Sequence, residues 1–132
     1  MGTEVKRIRI SVESKAMIKF LNWKFYTKEG IYIQRDWLND ATQKQLKKIQ
    51  EMRYEYISPE DKPKRHITSI AVSTNNLEAL HQTIENRYYP IRFLGHLFEL
   101  IIYLTAKEVL NEQEKEVSGF YKWKVEYVSR ST

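Results

Sequence analysis

Residues 5–12 read Val-Lys-Arg-Ile-Arg-Ile-Ser-Val, and from Arg7 to Val12 polar and apolar side chains alternate. A period of two places Ile8, Ile10 and Val12 on one face of a strand and Arg7, Arg9 and Ser11 on the other. The pattern after it is helical. Ser14 is placed to cap a helix from Lys15 to about Tyr26. Lys15, Lys19 and Asn22 form its polar stripe, and Met17, Ile18, Phe20, Leu21 and Phe25 fill the rest. From Asp36 to about Tyr56, Leu38, Thr42, Leu46, Ile49, Met52 and Tyr56 recur at steps of three and four, which predicts a second helix. Between the two, Lys28-Glu29-Gly30 has two readings. Either Gly30 ends the first helix in the left-handed conformation, or residues 23–34 form a hairpin with Phe25, Tyr26, Ile31 and Ile33 as strand residues.

The remainder follows the same logic. Ser58 to Arg65 holds two prolines and five charges and reads as a loop, with a possible internal boundary. His66 to Ser73 alternates Thr68, Ile70 and Val72 and predicts a strand. Asn75 with Glu78 has capping-box spacing, opening a helix that buries Leu77, Leu80, Ile84 and Tyr88 and stops near Pro90. Ile91 to about Glu116 is the longest apolar helical pattern, with His96, Glu99, Tyr103 and Lys107 as its polar stripe. Phe120 to Val128 alternates Tyr121, Trp123, Val125 and Tyr127 with Lys122, Lys124 and Glu126, as a strand does. No internal repeat is visible. The expected class is α+β: an N-terminal strand, two helices, a central strand, two helices and a C-terminal strand.

At 132 residues a single domain is expected. The absence of cysteine excludes disulfides and thiolate zinc sites. The N-terminus runs straight into a charged strand, so no secretory leader is expected. The most apolar run, Phe93 to Leu104, is broken by Gly95, His96 and Glu99 and falls short of the ~20 residues that a membrane span needs. A cytoplasmic location is the expectation. The formal charge of +5 is uneven. Residues 1–65 hold 15 Lys and Arg against 9 Asp and Glu, and residues 66–132 hold 7 against 8. An anionic partner for the first half, nucleic acid foremost, follows from that asymmetry.

Over residues 5 to about 50 the chain resembles the ribbon-helix-helix DNA-binding family. The resemblance implies a homodimer whose N-terminal strands pair as an antiparallel ribbon in the major groove of duplex DNA. Arg7, Arg9 and Ser11 would then face base edges, and Ile8, Ile10 and Val12 would face inward. An arginine fork can pair bidentately with guanine. The turn would be Gly30-Ile31-Tyr32. The second helix would present Gln34-Arg35-Asp36 to backbone phosphate, with Ile33, Trp37 and Ala41 in core positions. Lys44, Lys47 and Lys48 complete the candidate nucleic-acid surface; a solvated helix face is their simpler reading.

Other constellations are thinner. His81 with Glu85, and His96 with Glu99, share helix faces, but the order and number of ligands are wrong for a bundle metal site. Asp36 and Asp40 suit a helix start. There is no phosphate loop, dinucleotide fingerprint or nucleophile elbow, so neither an enzyme nor a cofactor is expected. Two readings remain. One is a small DNA-binding regulator of transcription, working as a dimer. The other is a protein–protein interaction module of a phage, plasmid or other mobile element, binding a protein partner through exposed aromatics and no nucleic acid.

Overall fold

The computed structural model describes residues 2–57, 65–85, 93–120 and 124–129. Strand β1 (Thr3–Ser11) leads into helices α1 (Val12–Glu29) and α2 (Gln34–Glu51), and β2 (Met52–Ile57) follows. Strand β3 (Arg65–Ser73) leads into α3 (Thr74–Glu85) and α4 (Leu94–Val109), followed by α5 (Glu112–Ser118) and β4 (Lys124–Ser129). The class is α+β. β1 pairs with β3 antiparallel, from Thr3↔Ser73 through Arg7↔Ser69 to Ser11↔Arg65. β2 pairs with β4 antiparallel, from Met52↔Ser129 to Ile57↔Lys124.

A strand–helix–helix unit therefore occurs twice, and the two units share one ribbon. Ser11 caps α1, its Oγ accepting from the Ser14 N–H at 3.1 Å; Ser73 caps α3, its Oγ accepting from the Asn76 N–H at 3.2 Å. The sequence offset from Ser11 to Ser73 is also the offset from Arg7 to Ser69, which face each other across the ribbon. A pseudo-twofold axis consequently passes through the Arg7–Ser69 pair. The same offset carries buried Ile8 and Ile10 onto buried Ile70 and Val72, and Ile18 onto Leu80. In the second helices the offset is slightly smaller and again constant. It carries Trp37, Leu38, Ala41, Thr42, Gln45 and Leu46 onto Leu97, Phe98, Ile101, Ile102, Thr105 and Ala106, every one of them buried.

The units are interlocked. From α4, Glu99 Oε2 accepts from the Ser11 N–H (3.2 Å) and from Ser14 Oγ (2.6 Å) of the first unit. From α2, Asn39 accepts from the Ser73 N–H (2.9 Å) and from Asn76 Nδ2 (3.0 Å), and donates to the Ala71 carbonyl (3.2 Å) of the second. One hydrophobic cluster takes in both units, with α2 packed on α4. At the start of α4 only glycine fits: a Cβ on Gly95 would lie 2.2 Å from the Arg9 carbonyl oxygen.

Several expectations are corrected. Residues 23–34 are not a hairpin. α1 runs on to Glu29, and Gly30 (φ 68°) sends its N–H back to Phe25 and Tyr26. Val12 opens α1 instead of ending the strand and is exposed, and Ile33 is exposed as well. Ser11, not Ser14, caps α1, and Ser73, not Asn75, caps α3. The helix expected to Tyr56 stops at Glu51, because Met52-Arg-Tyr-Glu-Tyr-Ile also alternates at period two and β4 offers it an edge. The helix expected over 91–116 breaks at Leu110. Asn111 then caps α5 in a full capping box with Glu114. The loop over 58–64, the helix end at Pro90 and the side chains of Tyr121, Trp123 and Tyr127 lie outside the described residues.

Candidate nucleic-acid interface

Side chains alternate across a strand, so burying Ile8, Ile10, Ile70 and Val72 turns the opposite set outward. On β1 this set is Thr3, Val5, Arg7 and Arg9; on β3 it is Ile67, Ser69 and Ala71. Across the ribbon Val5 faces Ala71, Arg7 faces Ser69 and Arg9 faces Ile67. Arg7 and Arg9 are exposed, Val5 is 68% exposed and Ile67 47%. Ser11 does not join them. It is 1% exposed, because its hydroxyl caps α1 and its N–H is held by Glu99.

Each second helix begins beside one end of this ribbon. At the start of α2, Gln34 is tied down: its Oε1 accepts from Asn22 Nδ2 (3.0 Å), and Asn22 in turn accepts from the Trp37 indole N–H (2.7 Å). Arg35 is exposed, with Asp36 Oδ1 at 3.4 Å. α4 starts with no acidic residue in its first turn and no side-chain cap on Phe93. Its leading N–H groups lie where a helix attracts anions. Beside them is a cavity of about 440 Å³, lined by Arg7, Arg9, Arg65, Gly95 and His96 among others.

Arg65 is fixed within that wall. Its Nη1 donates to Glu99 Oε1 at 2.8 Å. Glu99 is itself 0% exposed, a buried carboxylate held by a guanidinium, a backbone N–H and a hydroxyl. Burial holds the His96 imidazole below its ordinary pKa, and the Arg65 charge adds to that; Glu99 pulls weakly the other way. His96 is therefore uncharged near neutral pH, and the positive charge here belongs to the arginines.

The structure separates the lysines from the ribbon. Lys44 lies 3.0 Å from Glu108 of α4, Lys48 pairs with the same carboxylate, and Gln45 Nε2 donates to it at 3.1 Å. Burial pushes the Glu108 carboxyl up, but the Lys48, Lys44 and Gln45 hydrogen bonds outweigh it and hold its pKa below the ordinary value. These contacts join α2 to α4 well away from the ribbon: at about 1.5 Å per residue Lys48 is about 14 Å along the helix from Asn39. Lys47 is exposed at the same end. The ribbon thus gathers Arg7 and Arg9, with Gln34 and Arg35 on one flank; Ser11, Lys44, Lys47 and Lys48 stand apart from it.

Three contributors escape the sequence reading. Arg65 reads as loop but begins β3. Glu99 reads as part of a polar stripe but is buried. The outer face of β3 is visible as alternation, without a sign that it lies against β1. Among the described residues no group of three or more His, Cys, Asp and Glu is placed to hold a metal ion, and no helix is long and apolar enough to cross a membrane. No family model matches the chain, and no curated protein or solved structure matches it either.

Proposed function

We propose that the chain is a DNA-binding regulator that lays the outer face of its β1–β3 ribbon in the major groove of duplex DNA. One observation carries the reading. Arg7 and Arg9 stand unburied and adjacent on the open face of a two-stranded antiparallel ribbon whose other face is sealed by the core. The major groove admits a two-stranded ribbon, and arginine is the side chain best shaped to read guanine there. The α4 N-terminus and Arg35 flank the ribbon where phosphates would pass. The ribbon-helix-helix resemblance supports the same use. Here β3 supplies the strand that the resemblance assigns to a second subunit, so one chain makes the ribbon.

Titrating duplex DNA with the protein at two salt concentrations tests this. Neutralising Z phosphates gives a slope of log K against log salt near −0.9Z, so several contacts mean a loss of about a hundredfold over a fourfold rise in salt. Arg7→Ala with Arg9→Ala should remove the preference for guanine and leave stability almost unchanged, both side chains being exposed. Absence of binding at low salt would reject the proposal.

The second reading, a protein-binding module, is favoured by a separate surface. Trp23, Tyr26, Tyr32 and Ile33 are exposed where α1 ends, with the Tyr26 and Tyr32 rings in edge contact at 4.7 Å. Trp23 also lines a cavity of about 760 Å³ with Lys19, Phe20 and Val117. Exposed aromatics of this kind are common interface anchors.

A further inference from the structure

The pseudo-twofold axis through Arg7 and Ser69 divides the ribbon into two ends that can be compared residue for residue. Arg9 at one end corresponds to Ala71 at the other, and Ile67 corresponds to Val5. Beside them Arg65 corresponds to Thr3. In the flanking helices His96, in the first turn of α4, corresponds to Asp36 in the first turn of α2. Arg9/Ala71, Arg65/Thr3 and His96/Asp36 place more positive charge at the Arg9 end, whereas Glu99/Asn39 and Gly95/Arg35 shift it back. Glu99 pairs with Arg65, which leaves exposed Arg9 against Ala71 as the difference on the ribbon face itself. The Arg9 end carries two arginines and a helix start without an acid. The Val5 end shows a valine, an alanine and a threonine beside a helix start that carries Asp36, with Arg35 3.4 Å from it.

We propose that the ribbon reads a single non-palindromic duplex site, guanine-bearing under the Arg9 end and thymine-bearing under the Val5–Ala71 end. This rests on the DNA-binding reading and adds to it the identity and order of the bases. Guanine offers N7 and O6 as two acceptors to a guanidinium fork. Val5 and Ala71 have no hydrogen-bonding side-chain atoms; what they match in the groove is the thymine methyl. Arg7 and Ser69 sit on the axis and serve the centre. A protein of two identical subunits presents the same side chains at both ends and selects an inverted repeat. This chain does not.

Selection of duplexes from a random library by the full chain at low salt reads the motif directly. The expected result is one motif without inverted symmetry, with guanine towards one end and thymine towards the other. Arg9→Ala should reduce discrimination at the guanine end about ten- to a hundredfold and leave the thymine end unchanged. Ala71→Arg puts an arginine at both ends of the ribbon and should draw the motif towards an inverted repeat; circular dichroism and thermal melting establish that each variant is folded. An inverted repeat selected by the unaltered chain would overturn the inference. Binding without any enriched motif would overturn it too, while leaving the DNA-binding reading intact. Failure to bind any duplex would overturn both.

Discussion

Glu99 and Asn39 hold equivalent places on α4 and α2, and each accepts a backbone N–H from the strand of the other unit. They differ by a charge. Asn39 directs its amide nitrogen to the Ala71 carbonyl, whereas Glu99 meets a guanidinium from Arg65. Taking a carboxylate fully out of water is costly unless its oxygens are satisfied, and here both are. Glu99→Ala would leave the Ser11 N–H without its acceptor and Arg65 without its counter-ion. It should cost about 3–5 kcal/mol, as removing one partner of a buried pair does. Asn39→Ala removes neutral bonds and should cost about 1–3 kcal/mol. Urea unfolding of both variants measures the difference; a Glu99→Ala loss below about 1 kcal/mol would mean that the buried pair contributes little.

Among the elements, α4 is the one whose position depends on a single small residue. Its first turn lies so close to β1 that Gly95 meets the Arg9 carbonyl, a backbone atom that cannot rotate away. Gly95→Ala should therefore push the helix start off the strand and cost about 1–3 kcal/mol, the range for forcing extra atoms into a packed contact. A thermal melt indistinguishable from that of the unaltered protein would contradict this close approach. The contact also marks the limit of what is legible in the chain. Ile8 and Ile10 announce β1 and its inner face, because alternation is a local property. Gly30 and the helices are local as well. The duplication is not, because Leu38 and Phe98, or Ser14 and Asn76, fill equivalent places without being alike. The core asks for volume and apolarity, and a polar tie asks for a donor or acceptor; neither preserves identity. Ser11 reads as outward-facing for the same reason: alternation counts positions along a strand and does not register that the strand has ended in a helix cap.

At the scale of the molecule, both strands of the ribbon come from one polypeptide. Pairing β1 with β3 is therefore a first-order event, its entropic cost set by the length of the connecting chain and not by protein concentration. A ribbon assembled from two subunits gains stability with concentration by mass action. The midpoint of unfolding in urea should accordingly be the same over a hundredfold range of protein concentration; a midpoint that rises with concentration would show that a second chain takes part in the fold. Helix α5 adds a consequence of another kind. The strands of the β2–β4 pair follow α2 and α5, one from each unit, and pair antiparallel, so each is the other's counterpart; α5 has none among the described residues, because α2 runs directly into β2. A body symmetric about that axis would look the same to neighbours upstream and downstream of its seat. This one has a front and a back. Seated in a single orientation on the proposed duplex site, it turns α5 towards the same side every time, so a neighbour on that side meets a surface that a neighbour on the other side never sees.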